Sequence, residues 1–200
     1  MKADLDRLMQ ENNIDAILVT GSAQHNPAMV YLTGGGHMTS ADLIKPRGGE
    51  AVLYYNPMER EEAAASGLMT KNLVDYDWKS LMKQAEGDSN KARALRYKQM
   101  LADQGITKGR VSVYGKVEIG ANFAVFSALQ SVAPDLEIVG EEPHDSLMLT
   151  AMATKDAGGL LPKIQNGKPT KGGKWISEFG KGRIAKFLGK AENYTHEIII

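Results

Sequence analysis

Two hundred residues carry 24 Lys and Arg against 24 Asp and Glu, with four His and no Cys, so the chain is formally neutral. A hydrophobic share of 42% and a charged share of 24% suit an ordinary globular core and exclude a disordered or fibrous chain. The lack of Cys excludes disulfide frameworks, thiolate zinc sites, iron–sulfur ligation and cysteine nucleophiles, while no apolar run approaches the roughly 18 residues that span a bilayer.

In chain order, Leu5, Leu8 and Met9 share one face at helical spacing, and Asn12-Asn13 stops the helix. The short apolar run Ala16 to Thr20 predicts a strand covered on both faces. Residues 42 to 55 read as a hairpin turning at Pro46-Arg47-Gly48-Gly49. Asn56 then caps a helix, with Pro57 at its first position, Glu59 completing a capping box and Gly67 as the stop. Leu73-Val74 is a short strand, Asp77 caps a helix with the stripe Trp78, Leu81, Met82, Ala85, and Ser89 to Gln104 is the next helix, stopped by Gly105-Ile106. Val111 to Tyr114 and Leu136 to Val139 are strands around a helix faced by Phe126, Leu129, Val132 and Ala133. This alternation calls for an α/β fold in three layers: a mixed, mostly parallel sheet with helices on both faces and the hairpin as its antiparallel part.

Composition changes after Asp156. The last 44 residues hold eight basic and three acidic side chains, a net of +5, and eight of the 21 Gly. Residues 157–200 are therefore read as a Gly/Lys-rich, poorly ordered tail. The alternative is a nucleic-acid arm, because Trp175, Phe179, Phe187 and Tyr194 interleave with the positive charge as a stacking surface would require.

Within the rest, chemistry-bearing motifs are sparse. Gly34-Gly35-Gly36 lacks the spacing and the strand-to-helix setting of a nucleotide loop, and the segment Gly167 to Lys174 places its Lys one residue late for a P-loop and puts Trp175 where Ser or Thr belongs. Glu141, Glu142, His144 and Asp145 offer four metal ligands within five residues. Metal sites usually gather ligands from separated segments, so these read as a solvated loop. No Ser occupies a nucleophile elbow. Neither a catalytic residue nor a metal ligand is assigned in this chain.

The opening helix, Asn13 to Thr20, and Asn26-Pro27-Ala28-Met29-Val30-Tyr31-Leu32-Thr33-Gly34 together resemble the N-terminal domain of the creatinase, aminopeptidase P and prolidase family, the pita-bread metallopeptidases. Tyr31 to Gly34 is close to that family's Asn-x-x-Tyr-Leu-Thr-Gly signature, and the resemblance covers residues 1–156. It implies a three-layer α/β domain without catalytic residues, which helps a homodimer form and restricts entry to the partner's active site. Catalysis would belong to a separate domain holding two divalent metals, Mn, Co or Zn, that acts on small peptides. The loop from Gly34 to Asp42, with His37, Thr39 and Asp42, would lie nearest that entrance. The family continues past a Lys-Asp like Lys155-Asp156 with an acidic linker helix, whereas this chain turns to Ala157-Gly158-Gly159. A truncated or frameshifted relative is the expected reading, with a stand-alone module bearing a basic arm as the alternative. The cytoplasm is the expected compartment, since Met1 to Asp6 turns acidic where a signal peptide would be apolar.

Overall fold

Ala16–Gly21 (β1) stands at the centre of a six-stranded sheet, and its buried alternation explains the layers on either side. The computed structural model describes residues 3–35, 37–142 and 146–153, together with Ile164–Gln165 and Lys168–Pro169. Residues 2–153 form one compact unit, and residues 154–200 fall with Met1 into a second. In the second, the described residues are two short strands, Ile164–Gln165 and Lys168–Pro169, paired antiparallel. The tail, the aromatic residues within it and the Gly-Lys segment near Lys174 otherwise lie outside the described residues.

The chain enters through helix α1 (Ala3–Glu11), which closes when Asn13 takes a left-handed φ of 54° and Ile14 N–H reaches back to Met9 O. After β1 come α2 (Pro27–Thr33), β2 (Ala41–Pro46) and β3 (Val52–Tyr55). Next are α3 (Arg60–Ala65), β4 (Met69–Asn72) and α4 (Trp78–Gln84). Then α5 (Ser89–Asp103), β5 (Gly109–Lys116), α6 (Ile119–Val132), β6 (Leu136–Val139) and α7 (Leu147–Ala153) complete the unit.

The sheet order is β4-β3-β2-β1-β5-β6. Only β2 runs against the others: β1 pairs in parallel with β5, β5 with β6 and β3 with β4, while β2 is antiparallel to both neighbours. The α/β reading with a mostly parallel, mixed sheet therefore holds. Ile17 and Val19 point into one core with Leu5, Met9, Met29, Leu32 and Leu147, so α1, α2 and α7 cover that face. Ala16 and Leu18 point into the other, with Leu81, Tyr97, Leu101, Val125 and Leu129 from α4, α5 and α6.

Two local expectations are corrected. Leu73-Val74 is not a strand: the edge strand is Met69–Asn72, and Leu73–Asp75 is a 3-10 turn started by the Asn72 side chain accepting from Val74 N–H at 3.1 Å. Asn56 does not cap with its side chain either. Pro57–Glu59 is a 3-10 turn, the Asn56 amide donates to Ser40 O at 3.4 Å, and the Glu59 carboxylate is engaged by Thr39.

At the edge of the sheet where the parallel strands begin, buried Lys45 donates to Asp6 Oδ1 at 2.5 Å and to Pro46 O at 2.9 Å, and Gly48 N–H donates to the same Asp6 oxygen at 2.8 Å. Burial opposes ionisation of Asp6, but the Lys45 hydrogen bond, the Gly48 amide and the Lys45 charge together hold its carboxyl below the usual range. Asp15 joins three strands at that edge: Oδ1 accepts from Arg47 at 2.6 Å, Oδ2 accepts from Arg110 N–H at 2.9 Å, and its own N–H donates to Arg110 O at 2.8 Å.

Candidate functional site

The parallel strands end on one edge of the sheet, and β2 begins there, so the loop joining α2 to β2 is delivered to the place where open α/β sheets gather ligands. Asn26 starts this construction. Its side chain accepts from Met29 N–H at 3.4 Å, capping α2, and donates to Thr20 O at 3.1 Å, which ties the cap to the end of β1. Pro27 supplies the preset first turn. Gly34 ends the helix at a left-handed φ of 80°, its N–H reaching Val30 O at 2.9 Å.

The loop beyond is pinned rather than free. Met38 is fully buried, and its carbonyl accepts from Ala23 N–H at 2.9 Å and Ser22 Oγ at 3.4 Å. Thr39 presents both its N–H and its hydroxyl to Glu59 Oε1, the hydroxyl at 2.8 Å. His37 and Thr39 are exposed. Asp42 is not: only 6% of it is exposed, and its carboxylate accepts from the Tyr97 hydroxyl at 2.8 Å. A phenol has one proton, and Tyr97 gives it to Asp42. The 3.1 Å contact between Thr20 Oγ1 and the Tyr97 oxygen is then donated by Thr20. Burial first, and the charge of Asp42 second, push the Tyr97 phenol well above its ordinary value, so it stays a donor.

The three expected loop residues thus divide. His37 and Thr39 are exposed, the latter with its hydroxyl held by Glu59, whereas Asp42 locks the loop's landing strand to α5. Tyr97, Thr20, Asn26 and Glu59 were not singled out in the sequence as part of this arrangement. Tyr97→Phe removes the donor to a buried carboxylate, with an expected loss of about 1–3 kcal/mol in urea unfolding. An unchanged midpoint would mean that Asp42 finds water instead.

Glu141 accepts from Ser112 Oγ at 2.8 Å and from Leu147 N–H at 2.7 Å, so it starts α7 and ties it to β5. Its sequence neighbours His144 and Asp145 lie outside the described residues. Among the described residues no three His, Cys, Asp or Glu come together as a metal site, and no helix is long and apolar enough to cross a membrane.

The fold is similar to that of several solved peptidase structures. The X-Pro aminopeptidase of Thermotoga maritima matches with a TM-score of 0.53 and 16% identity, over 82% of this chain and 38% of that one. A dipeptidase from Pyrococcus horikoshii matches at 0.48 and 15% over 78% and 37%. The creatinase/prolidase N-terminal domain of a Streptococcus pyogenes X-Pro dipeptidase matches at 0.42 and 15% over 72% and 97%. No curated protein sequence matches the chain. The model of the creatinase/prolidase N-terminal domain matches residues 2–143, and the chain belongs to that family. It spans 37% and 38% of the first two of these peptidases.

Proposed function

We propose that this chain is the non-catalytic access domain of an Xaa-Pro peptidase or creatinase-like hydrolase, working in the cytoplasm as a homodimer. It would lay the segment from Gly34 to Ser40 beside an active site carried by another domain and so restrict which small peptides enter. The observation that carries this reading is the loop itself. Gly34 N–H ties its start to Val30 O, Met38 and Thr39 fasten its far end, and His37 is exposed beside them. A loop fixed in this way can select ligands at low entropic cost. Two divalent metals, Mn, Co or Zn, would belong to that other domain, as membership of the family implies.

On the same reading residues 1–156 are family sequence and residues 157–200 are not. The coding sequence downstream, read in all frames, is where a metal domain would be sought. Purified chain is expected to sediment as a dimer and to show no Mn-, Co- or Zn-dependent cleavage of Xaa-Pro dipeptides. A monomer at micromolar concentration would remove the dimer. Metal-dependent turnover surviving repurification would overturn the non-catalytic reading.

A further inference from the structure

Strand β6 is the last of the sheet beyond β5, so half of its backbone groups face away from any ladder. Gly109 N–H donates to Asp135 O at 3.0 Å, whereas Leu136 N–H turns to Ala133 O at 3.0 Å, so Leu136 and Ile138 present their peptide groups to the open side. There the side-chain amide of Gln130 on α6 meets them. Gln130 Nε2 donates to Leu136 O, and Gln130 Oε1 accepts from Ile138 N–H at 2.9 Å. One residue of an added parallel strand would make that same pair of bonds: a donor to the carbonyl before Glu137 and an acceptor for the N–H after it.

Beside this mimic runs a groove of about 560 Å³, walled by Val113, Phe123, Phe126, Ile138 and Val139, with Gln130 itself among the lining residues and no charged side chain among the described ones. Phe123 is 73% exposed and Ile119, one turn earlier on α6, 83% exposed. Strand β6 is only four residues long and carries the exposed Glu137, two ordinary protections of an edge, and Gln130 is a guard of a different kind. Here a neutral, displaceable amide guards a backbone slot that opens on an apolar trough.

We infer that the β6 edge is a docking slot for an extended, uncharged peptide segment of a partner protein, which adds as a parallel strand in place of the Gln130 amide. Its backbone would take over Leu136 O and Ile138 N–H, and alternate apolar side chains would fill the groove, the mode known as β-augmentation. The missing charge along the groove is the basis for the neutral occupant, since a charged side chain there would lose water and gain no partner.

The test uses the full chain and the blocked probe acetyl-Ser-Val-Ser-Val-Ser-amide, followed by NMR and titration calorimetry. The probe is expected to shift the amide signals of Leu136 to Gly140 and the Gln130 side-chain amide. Gln130→Ala, a change to a stronger helix former, frees the slot and should tighten binding about tenfold, the equivalent of roughly one net pair of hydrogen bonds. A probe N-methylated on its serines, the residues whose N–H groups face β6 when the valines fill the groove, keeps its side chains, loses those donors and should not bind. No binding to either protein, or equal binding of the N-methylated probe, overturns the proposal. Gln130→Ala chains that dimerise in sedimentation without taking up the probe would make a second copy the occupant, and overturn it as stated.

Discussion

Truncating Ile17 or Leu18 to Ala is expected to cost about 2–5 kcal/mol in either case, the range for fully buried aliphatic side chains. The two are adjacent in β1, and neither has exposed surface, yet they belong to different cores: Ile17 to the layer of α1, α2 and α7, Leu18 to that of α4, α5 and α6. A sheet with one wet face would make one of the two losses small, below about 1 kcal/mol. Denaturant unfolding of both variants therefore measures the number of layers.

Gly115→Ala is expected to be the other severe change, at about 2–5 kcal/mol. Gly115 lies within β5 at a φ of 148°, and a Cβ there would stand 2.2 Å from Thr20 O, a backbone atom of the paired strand. That carbonyl also holds the Asn26 amide, so a shift of β1 away from β5 disturbs the start of α2 as well. Gly48→Ala supplies the contrast. Its φ is 72°, but a Cβ at that turn would meet nothing within 4 Å, so only the left-handed backbone strain of about 1–2 kcal/mol is expected. Equal losses at the two positions, by thermal or urea unfolding, would show that β1 and β5 do not approach this closely at Thr20.

Most elements with a strong apolar pattern were legible from the chain alone, because buried strands and two-faced helices write their burial into side-chain spacing. The run Ala16 to Thr20 and the stripe Leu81 to Ala85 are of this kind. Strand β4 was not legible: Met69, Thr70, Lys71 and Asn72 sit at the sheet's edge, exposed or half-exposed, and carry no apolar signal, whereas the buried Leu73 next to them does. The two Asn-Pro steps are more instructive. Asn56-Pro57 reads as a cap from local rules, yet the Asn56 amide reaches toward Ser40 and the turn starts as 3-10. Asn26-Pro27 obeys the same rule and does cap its helix, but α2 is only seven residues long and its periodicity is faint. In the loop, the exposed positions of His37 and Thr39 could be named only through the family resemblance. The burial of Asp42 could not, since its partner Tyr97 lies 55 positions away and only the folded sheet brings them together.

The reversed strand β2 also sets a timetable for a chain emerging from the ribosome. Strands β1 to β3 pair with near neighbours in sequence and can close early. The other side of β1, however, waits for a strand fastened to it by Asp15 and Arg110, which lie 95 positions apart. Until β5 is made, Ala16 to Gly21 present an apolar, unpaired edge to whatever is nearby. The nascent chain is therefore most prone to aggregation, and most in need of a chaperone, between the synthesis of β3 and that of β5.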